Sequence, residues 1–369
     1  MKRVAIIGSS IAGASLALLL GGHAQVTVYE MGSKKNIGDK LCSNICTNAI
    51  KPILKKWGLD PKKFIQRTFT KQRILTREKS IEFQIKEHEM DRKKLLDTLI
   101  LKAQKKGVKF KFDTKLVDFG EGIGEKGFDL VFEKNGKRMF FRTDVIIGAD
   151  GALSEVAKKA GLWNNRKHFL YLQSKLKKSD INKKFAPGKN TQYVFVGGKF
   201  GYYSYVYPSG QGYSIGLGES VDKNVKNSFK EYVKFVGAKN VKLRGALIPL
   251  PKVIGMKKNL FVIGDAACHT KFSLGGIIPS MMAAEAVRDI LLRGDYSAYF
   301  VLKLRILLHQ TATHILHKLD EADFEELFEI MEDPKYGGLM AARDKLGLKE
   351  LGILLSPKLI WFSLRKLFK

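Results

Sequence analysis

The residues of clearest chemical meaning stand in the first thirty positions. Gly8-Ser9-Ser10-Ile11-Ala12-Gly13 separates an apolar run, Val4-Ala5-Ile6-Ile7, from an Ala- and Leu-rich stretch, and a second run, Val26-Thr27-Val28-Tyr29, ends at Glu30. That order suits a dinucleotide. Glycines allow a tight turn and close approach of a pyrophosphate, a helix N-terminus offers N–H donors, and an acid at the next strand end accepts a ribose hydroxyl. Ser10 departs from the usual middle glycine, so a side chain must fit where the pyrophosphate comes close. The spacing alone does not choose between a flavin and a nicotinamide dinucleotide. Further along, Tyr203, Tyr205 and Tyr207 alternate in a strand-like run and put three rings on one face. Such a face suits an apolar slot whose hydroxyls find partners at its edge, and equally an ordinary aromatic sheet. Cys42 and Cys46 are spaced to share one helical face, where a disulfide is conceivable. His269 is a candidate acid that reads more readily as a hydrogen-bonded loop residue.

Each of these groups needs an element to hold it. The first thirty residues predict strand, turn, helix (14–20) and strand. A loop over 31–44 follows, where a simple dehydrogenase would continue directly into helix and strand. Residues 90–103 read as a helix with Asp91-Arg92 in its first turn and Leu95, Leu96, Leu99 and Leu101 as apolar contacts. Segments 109–117 and 128–141 alternate as strands, with Asn135-Gly136 turning a hairpin. Val145-Ile146-Ile147-Gly148-Ala149-Asp150-Gly151 is a buried strand ending in an Asp-Gly turn. Leu260-Phe261-Val262-Ile263-Gly264-Asp265-Ala266-Ala267 repeats that form and runs through Gly275-Gly276 into a helix over 279–292. Residues 212–219 read as the strand beside the tyrosines. Strand ends carrying Gly or Asp over most of the chain imply one cofactor site assembled from distant segments.

At 369 residues and 45% hydrophobic content the chain can bury a sizeable core in two or three structural units. No stretch approaches the roughly 20 uninterrupted apolar residues of a membrane span, and the N-terminus runs straight into a strand pattern, so a cytoplasmic protein, soluble or peripherally attached to a membrane, is expected. Cys42, Cys46 and Cys268, with no CxxC or Cys/His ligand set, are expected as free thiols without a structural metal. Lys and Arg number 65 against 36 Asp and Glu, a net charge of +29. That excess favours polyanions, and it equally suits a lysine-rich proteome or hot or salty surroundings. The lysines are scattered in pairs and no nucleic-acid motif accompanies them, so no nucleic-acid partner is expected.

Taken together, G-x-S-x-x-G, Glu30, Arg92, Gly148-Ala149-Asp150-Gly151 followed by Ser154, and Gly264-Asp265-Ala266-Ala267 followed by Gly275-Gly276 resemble the FAD-dependent reductase and hydroxylase superfamily typified by p-hydroxybenzoate hydroxylase. The resemblance implies FAD, with Asp265 against the ribityl chain and the Gly275-Gly276 helix start at the pyrimidine end of the flavin, where a helix N-terminus stabilises the anionic reduced ring. Within that superfamily the chain is similar to the geranylgeranyl reductase branch, which includes archaeal reductases of digeranylgeranylglycerophospholipids, over roughly residues 1–300. Lys40-Leu41-Cys42-Ser43 looks like that branch's Lys-x-Cys-Gly segment, whose thiol comes close to the isoalloxazine ring. Tyr203-Ser204-Tyr205-Val206-Tyr207-Pro208 looks like its Tyr-x-Trp-x-Phe-Pro segment, and Gly264 to Thr270 followed by Gly275-Gly276-Ile277 completes the likeness. The chain departs from the pattern at Ser43, Ile45 and Cys268, each in place of a glycine, at Phe272 in place of a proline, and at Ile277 in place of the third glycine of the helix start.

Motifs and resemblance together imply Gly8, Ser10, Ala12, Gly13, Glu30, Cys42, Ser43, Arg92, Val117, Asp150, Gly151, Asp265, Gly275, Gly276 and Ile277 as cofactor-binding residues. Tyr203, Tyr205, Tyr207 and Pro208 are the expected substrate residues. Cys42 is the catalytic candidate: it tunes the flavin, shields it or helps deliver a proton, or else it is a small buried apolar residue doing none of these. The implied activity is saturation of geranylgeranyl double bonds in isoprenoid lipids of the archaeal ether type. An isolated trisubstituted alkene accepts hydride poorly, so that reaction needs a strong donor at flavin N5, a proton donor and a dry, shaped slot. The alternatives are a flavin monooxygenase on an aromatic or polycyclic substrate and a flavin-bound membrane-surface protein without turnover. Expected partners are the isoprenoid lipid, a membrane surface and an external electron donor, NAD(P)H or ferredoxin.

The expected architecture is α/β: a Rossmann-type FAD-binding domain with an antiparallel-sheet substrate domain and a helical C-terminal region. Residues 1–158 form the first part of the FAD-binding domain, including a sheet insertion, 159–255 mainly the substrate domain, 256–296 the second part of the FAD-binding domain, and 297–369 the helical region. The C-terminal tail mixes Trp361, Phe362, Leu364, Leu367 and Phe368 with Arg365, Lys366 and Lys369. That is the pattern of a basic helix in a bilayer interface, and also of a last helix packed on its own protein.

Overall fold

The computed structural model describes residues 1–122, 127–163, 165–197, 200–336 and 356–367. Two units are built from interleaved segments. The first takes Met1–Lys40, Arg92–Arg166 and Pro249–Gln310, the second Leu41–Asp91, Lys167–Ile248 and Thr311–Lys369.

The first unit is organised by a five-stranded parallel sheet. Its strands β1 (Arg3–Ile7), β2 (Gln25–Tyr29), β6 (Lys109–Lys111), β10 (Val145–Gly148) and β16 (Leu260–Val262) stand in the order β16-β10-β1-β2-β6. Strands β1, β10 and β16 read as near-continuous apolar runs because both faces are covered, as parallel sheets require; Val4, Ile6, Ile146, Ile147 and Phe261 are buried. Helices α1 (Ile11–Leu20), α3 (Arg92–Lys105) and α6 (Ile277–Arg293) follow the motif segments, as expected. A three-stranded sheet, β7 (Lys115–Glu121), β8 (Phe128–Lys134) and β9 (Lys137–Thr143), is the sheet insertion. Its hairpin turns at Asn135 and Gly136, both with positive φ, the backbone that a two-residue Asn-Gly loop supplies. Phe132 stacks on Tyr29 with ring centroids 3.9 Å apart, which ties the insertion to the β2 end.

The second unit is organised by an eight-stranded sheet. It comprises β3 (Ile45–Thr47), β4 (Ile65–Leu75), β5 (Ser80–Met90), β11 (His168–Leu176), β12 (Thr191–Phe195), β13 (Tyr203–Ser209), β14 (Gly212–Ser220) and β15 (Arg244–Pro249), in the order β15-β11-β14-β13-β12-β4-β5-β3. Pairing is antiparallel through β11, β14, β13 and β12 and again through β4, β5 and β3, with β12 and β4 joined in parallel. That parallel ladder, Thr191↔Lys71 to Phe195↔Leu75, places 41–91 in the second unit, where the sequence had suggested an unbroken first part over 1–158. Residues 297–369 are likewise divided, since Ser297–Leu316 straddles the boundary. Cys46 lies on β3 and not on a helix, so the helical face expected to join it to Cys42 does not exist; all three cysteines are free thiols.

One face of this sheet buries Phe69, Ile81, Phe83, Tyr171, Tyr205 and Tyr207 together with Phe324, Phe328 and Phe362 from the C-terminal helices. The last described helix, Pro357–Leu367, packs Leu359 and Phe362 inward. Lys366 pairs with Asp323, and with Glu326 at 3.5 Å. Ile360, Trp361 and Leu364 stay exposed on its other side. The inward face is that of a last helix packed on its own protein; the side chain of Leu367 and residues 368–369 lie outside the described residues. Among the described residues no helix is long and apolar enough to cross a membrane.

Candidate functional site

In the first unit the chain leaves β1 through Gly8, whose φ is +100°; a Cβ there would sit 2.3 Å from the Ala149 carbonyl oxygen. A Cβ on Gly13 would be 2.0 Å from the Gly8 carbonyl oxygen. Both glycines are therefore dictated by backbone crossing. Ser10 is different. Its φ of −71° and ψ of −171° are ordinary extended backbone, so a serine at the middle position costs no strain. No side-chain hydrogen bond caps α1 there, which leaves the first-turn N–H groups facing outward as donors. Glu30 closes the turn: Oε2 accepts from Ser9 N at 2.8 Å and Ser9 Oγ at 2.9 Å, and Oε1 accepts from Gly32 N at 2.8 Å.

Other motif residues of this unit brace loops. The Arg92 guanidinium donates to the carbonyls of Gly38 and Lys40 at 2.6 and 2.5 Å and so holds the 31–40 loop. Asp150 accepts from Ser154 Oγ at 2.5 Å and Val156 N at 3.0 Å, while Ser154 Oγ caps the following helix by accepting from Ala157 N. Burial raises the Asp150 pKa, and these two hydrogen bonds oppose the rise. Gly151, at φ +86°, completes the Asp-Gly turn. Val117 sits in a β-bulge of β7, where the register slips between Leu116 and Asp118. At the second Asp turn, Asp265 pairs with Lys40 at 2.6 Å, and α6 starts after Gly275-Gly276 without a side-chain cap or an acid in its first turn. Ala12 is buried and Ile277 half-buried. Cys268 stands at φ +55°, in the left-handed region that the family glycine would occupy freely, and burial pushes its thiol up to about 11. His269 is a buried loop residue whose backbone N–H donates to the Gly264 carbonyl at 3.0 Å; burial pushes its pKa down to about 4, and its Nδ1 has no hydrogen-bond partner among the described residues.

In the second unit Tyr203, Tyr205 and Tyr207 stack along β13, with centroids 6.1 and 5.0 Å apart. The neighbouring strand makes room for them. Tyr205 is paired with Gly216, and a Cβ at Gly216 would lie 2.4 Å from Tyr205 Oη. The Tyr205 hydroxyl meets that of Tyr171 and accepts from Gln173 Nε2 at 2.9 Å, and Gln173 also donates to Ser214 Oγ at 2.9 Å. Tyr207 Oη donates to the Ser43 carbonyl at 2.7 Å, and Tyr232 Oη donates to the Tyr205 carbonyl at 2.6 Å. Burial lifts the Tyr205 phenol to about 12 and the phenols of Tyr171, Tyr203 and Tyr207 further. Pro208 is buried beside them. Cys42 is half-buried and its Sγ accepts from Asn44 N at 3.3 Å. Tyr171, Gln173, Ser214 and Gly216 were not singled out from the sequence. Each is unremarkable in its own strand, and the alternation of β11 and β14 became informative only once their register with β13 was known.

The sequence profile of the FAD binding domain family matches residues 1–195. The chain belongs to that family. This FAD-binding protein is 24% identical over 276 residues to the digeranylgeranylglycerophospholipid reductase of Methanococcus vannielii, covering 69% of this chain and 70% of that one. Its fold matches a geranylgeranyl bacteriochlorophyll reductase-like protein from Thermoplasma acidophilum, with a TM-score of 0.75 and 19% identity over 96% of this chain and 98% of the other. It also matches CmlS, a flavin-dependent halogenase, with a TM-score of 0.68 and 18% identity over 100% of this chain and 77% of that one. At these identities the two solved structures show a shared fold. FAD is the cofactor of the family, and the first unit of this FAD-binding protein fits it: two uncapped helix N-termini offer N–H donors for anionic groups. Gly8 and Gly13 leave their turn free of Cβ atoms, and the Glu30 carboxylate retains acceptor capacity on Oε1.

Proposed function

We propose that this FAD-dependent oxidoreductase is a reductase that saturates the double bonds of geranylgeranyl chains in isoprenoid lipids of the archaeal ether type. The observation that carries the reading is the face of the second sheet, where Tyr203, Tyr205 and Tyr207 lie among Phe69, Ile81, Phe83 and Ile85, with Pro208 next in the strand. Such a face can dock a long apolar chain, and the Tyr205 and Tyr207 hydroxyls are already engaged with Tyr171, Gln173 and the Ser43 carbonyl, which lowers the cost of keeping it dry. The printed name of the Methanococcus relative supports the same reading.

Reduced FAD supplies a hydride in this chemistry. The residues proposed to hold the cofactor are Gly8, Ser10, Ala12, Gly13, Glu30, Arg92, Val117, Asp150, Gly151, Asp265, Gly275, Gly276 and Ile277. The α1 N-terminus would hold the pyrophosphate, Glu30 would accept from a ribose hydroxyl, and the α6 N-terminus would favour negative charge on the ring. The tyrosines orient the prenyl chain and exclude water. A peripheral membrane surface, as the source of the lipid, belongs to the same proposal.

The test is anaerobic. The purified protein is reduced with dithionite, mixed with geranylgeranyl phospholipid, and followed by flavin reoxidation and product mass. Reoxidation coupled to a gain of about two hydrogens per double bond is expected. A second reading, a monooxygenase, is favoured by the fold shared with the flavin-dependent halogenase; a flavin that stays reduced until oxygen is admitted, then yields an oxygenated product, would replace the first reading with it.

A further inference from the structure

The loop over 31–40 ends on a charge that the nucleotide turn does not account for. The Arg92 guanidinium takes the carbonyls of Gly38 and Lys40 at 2.6 and 2.5 Å, so the backbone at the end of the loop is clamped on both sides of Asp39. From that fixed backbone the Lys40 side chain reaches the second Asp turn, 225 residues on in sequence, and its Nζ lies 2.6 Å from Asp265 Oδ2. With the lysine side chain 45% exposed, such a pair adds little to stability. Its effect falls on what stands beside it.

Asp265 stands at the mouth of α6. A Cβ on Gly276, the residue before the helix, would lie 3.1 Å from Asp265 Oδ1. The first turn of α6 carries neither an acid nor a side-chain cap, so Asp265 brings a fixed carboxylate to the positive end of a 17-residue helix. An unpaired carboxylate there would cancel the field that the helix end offers to a negative group on a ligand. With the Lys40 ammonium on its Oδ2, Asp265 is neutralised as a pair, and the helix end keeps its positive potential. His269, whose backbone carbonyl oxygen lies 3.7 Å from the same Cβ position, has its pKa pushed down to about 4 by burial and brings no charge to this place at neutral pH.

We propose that Lys40 is a positioning residue for the redox chemistry of FAD: by pairing with Asp265 it keeps the mouth of α6 positive and so favours the anionic reduced ring. This rests on the reading that sets the flavin ring at the α6 N-terminus. Two electrons and one proton convert the neutral oxidised ring into an anion, and a bare Asp265 carboxylate would repel the added charge where the paired one does not. The anion is also the form suited to a reductase, because loss of hydride from it leaves a neutral ring, whereas loss from the neutral reduced ring would leave a cation. The clamp by Arg92 serves the same end, since a lysine on a fixed backbone has only its side chain to order when it forms the pair.

The experiment titrates the full chain with oxidised FAD and with dithionite-reduced FAD, and measures the reduction potential of the bound flavin, in wild type, Lys40→Met, Lys40→Arg, Asp265→Asn and the double variant Lys40→Met with Asp265→Asn. Lys40→Met is expected to weaken the binding of reduced FAD about tenfold more than that of oxidised FAD, which for this two-electron couple is a potential about 30 mV lower. Lys40→Arg keeps the charge and should stay at the wild-type potential. Asp265→Asn should move the potential the opposite way, and the double variant should lie between the two single ones. A lysine that merely braced the loop would weaken both forms of FAD equally and leave the potential where it was; that result, or a fall in Lys40→Arg as large as in Lys40→Met, overturns the proposal. Where Asp265→Asn shifts the potential and Lys40→Met does not, the ring is at the α6 mouth and Lys40 has no part in tuning it. If no variant shifts the potential, the reading that sets the ring there fails and the role of Lys40 falls with it.

Discussion

In the first unit the groups proposed to meet the cofactor are mostly backbone: the turn through Gly8 and Gly13 and the open N-termini of α1 and α6. In the second unit the groups proposed to meet a substrate are side chains, and each depends on a neighbour across a ladder, as Tyr205 depends on Gly216, Tyr171 and Gln173. The difference decides where each unit tolerates change. A backbone cradle accepts Ser10 at the middle of its motif and Cys268 at a left-handed position, provided that the crossing points stay bare. A side-chain slot must change in matched sets, because removing one hydroxyl or adding one methyl disturbs several strands at once.

The largest expected effect breaks the first unit at its crossing point. Gly13→Val forces a Cβ into the Gly8 carbonyl at 2.0 Å and should cost about 4 kcal/mol or more, read as loss of bound flavin absorbance and a collapsed thermal transition. Next comes a pH dependence that the backbone cradle itself imposes. His269 is buried and neutral with a pKa of about 4 against 6.5 when exposed. Between those values the unfolded chain binds a proton that the folded chain does not, so stability falls as pH drops from 6.5 to 4, by up to about 3 kcal/mol. Denaturant midpoints across that window should show the slope, and His269→Asn should remove its share, leaving that of His88, which burial also pushes down to about 4.

In the second unit the effects are smaller and coupled. Gly216→Ala should cost about 2 kcal/mol, because its new Cβ meets Tyr205 Oη at 2.4 Å and ring carbon Cζ at 2.5 Å. Adding Tyr205→Phe should not rescue it, since the ring carbons remain in the way, whereas adding Tyr205→Leu should recover part of the loss; a double-mutant cycle measures the coupling. The smallest change, Tyr205→Phe alone, leaves Gln173 with Ser214 but takes the Tyr205 partner from the buried Tyr171 hydroxyl, and should cost about 1–2 kcal/mol in urea unfolding. A loss much larger than this would show that the tyrosine network is as unforgiving as the glycine turn, and the contrast between the two units would fail.

The amino-acid sequence determined the local devices of the first unit. A short apolar run, a G-x-S-x-x-G turn and an acid at the next strand end name a dinucleotide turn because strand, turn and helix N-terminus are all encoded within thirty residues. The Asn135-Gly136 hairpin was legible for the same reason, since φ > 0 at both positions is a property of those two residues. What tertiary structure alone decided is non-local. Residues 41–91 join the second sheet because β4 runs parallel to β12, more than a hundred residues away in sequence, and no periodicity within 41–91 announces that partner. The burial of Glu89 likewise comes from how β3, β4 and β5 pair, which nothing around it in the sequence announces. Alternation along a strand tells which residues share a face; only the register between strands tells which faces meet, and register is fixed by contacts that the sequence order does not display.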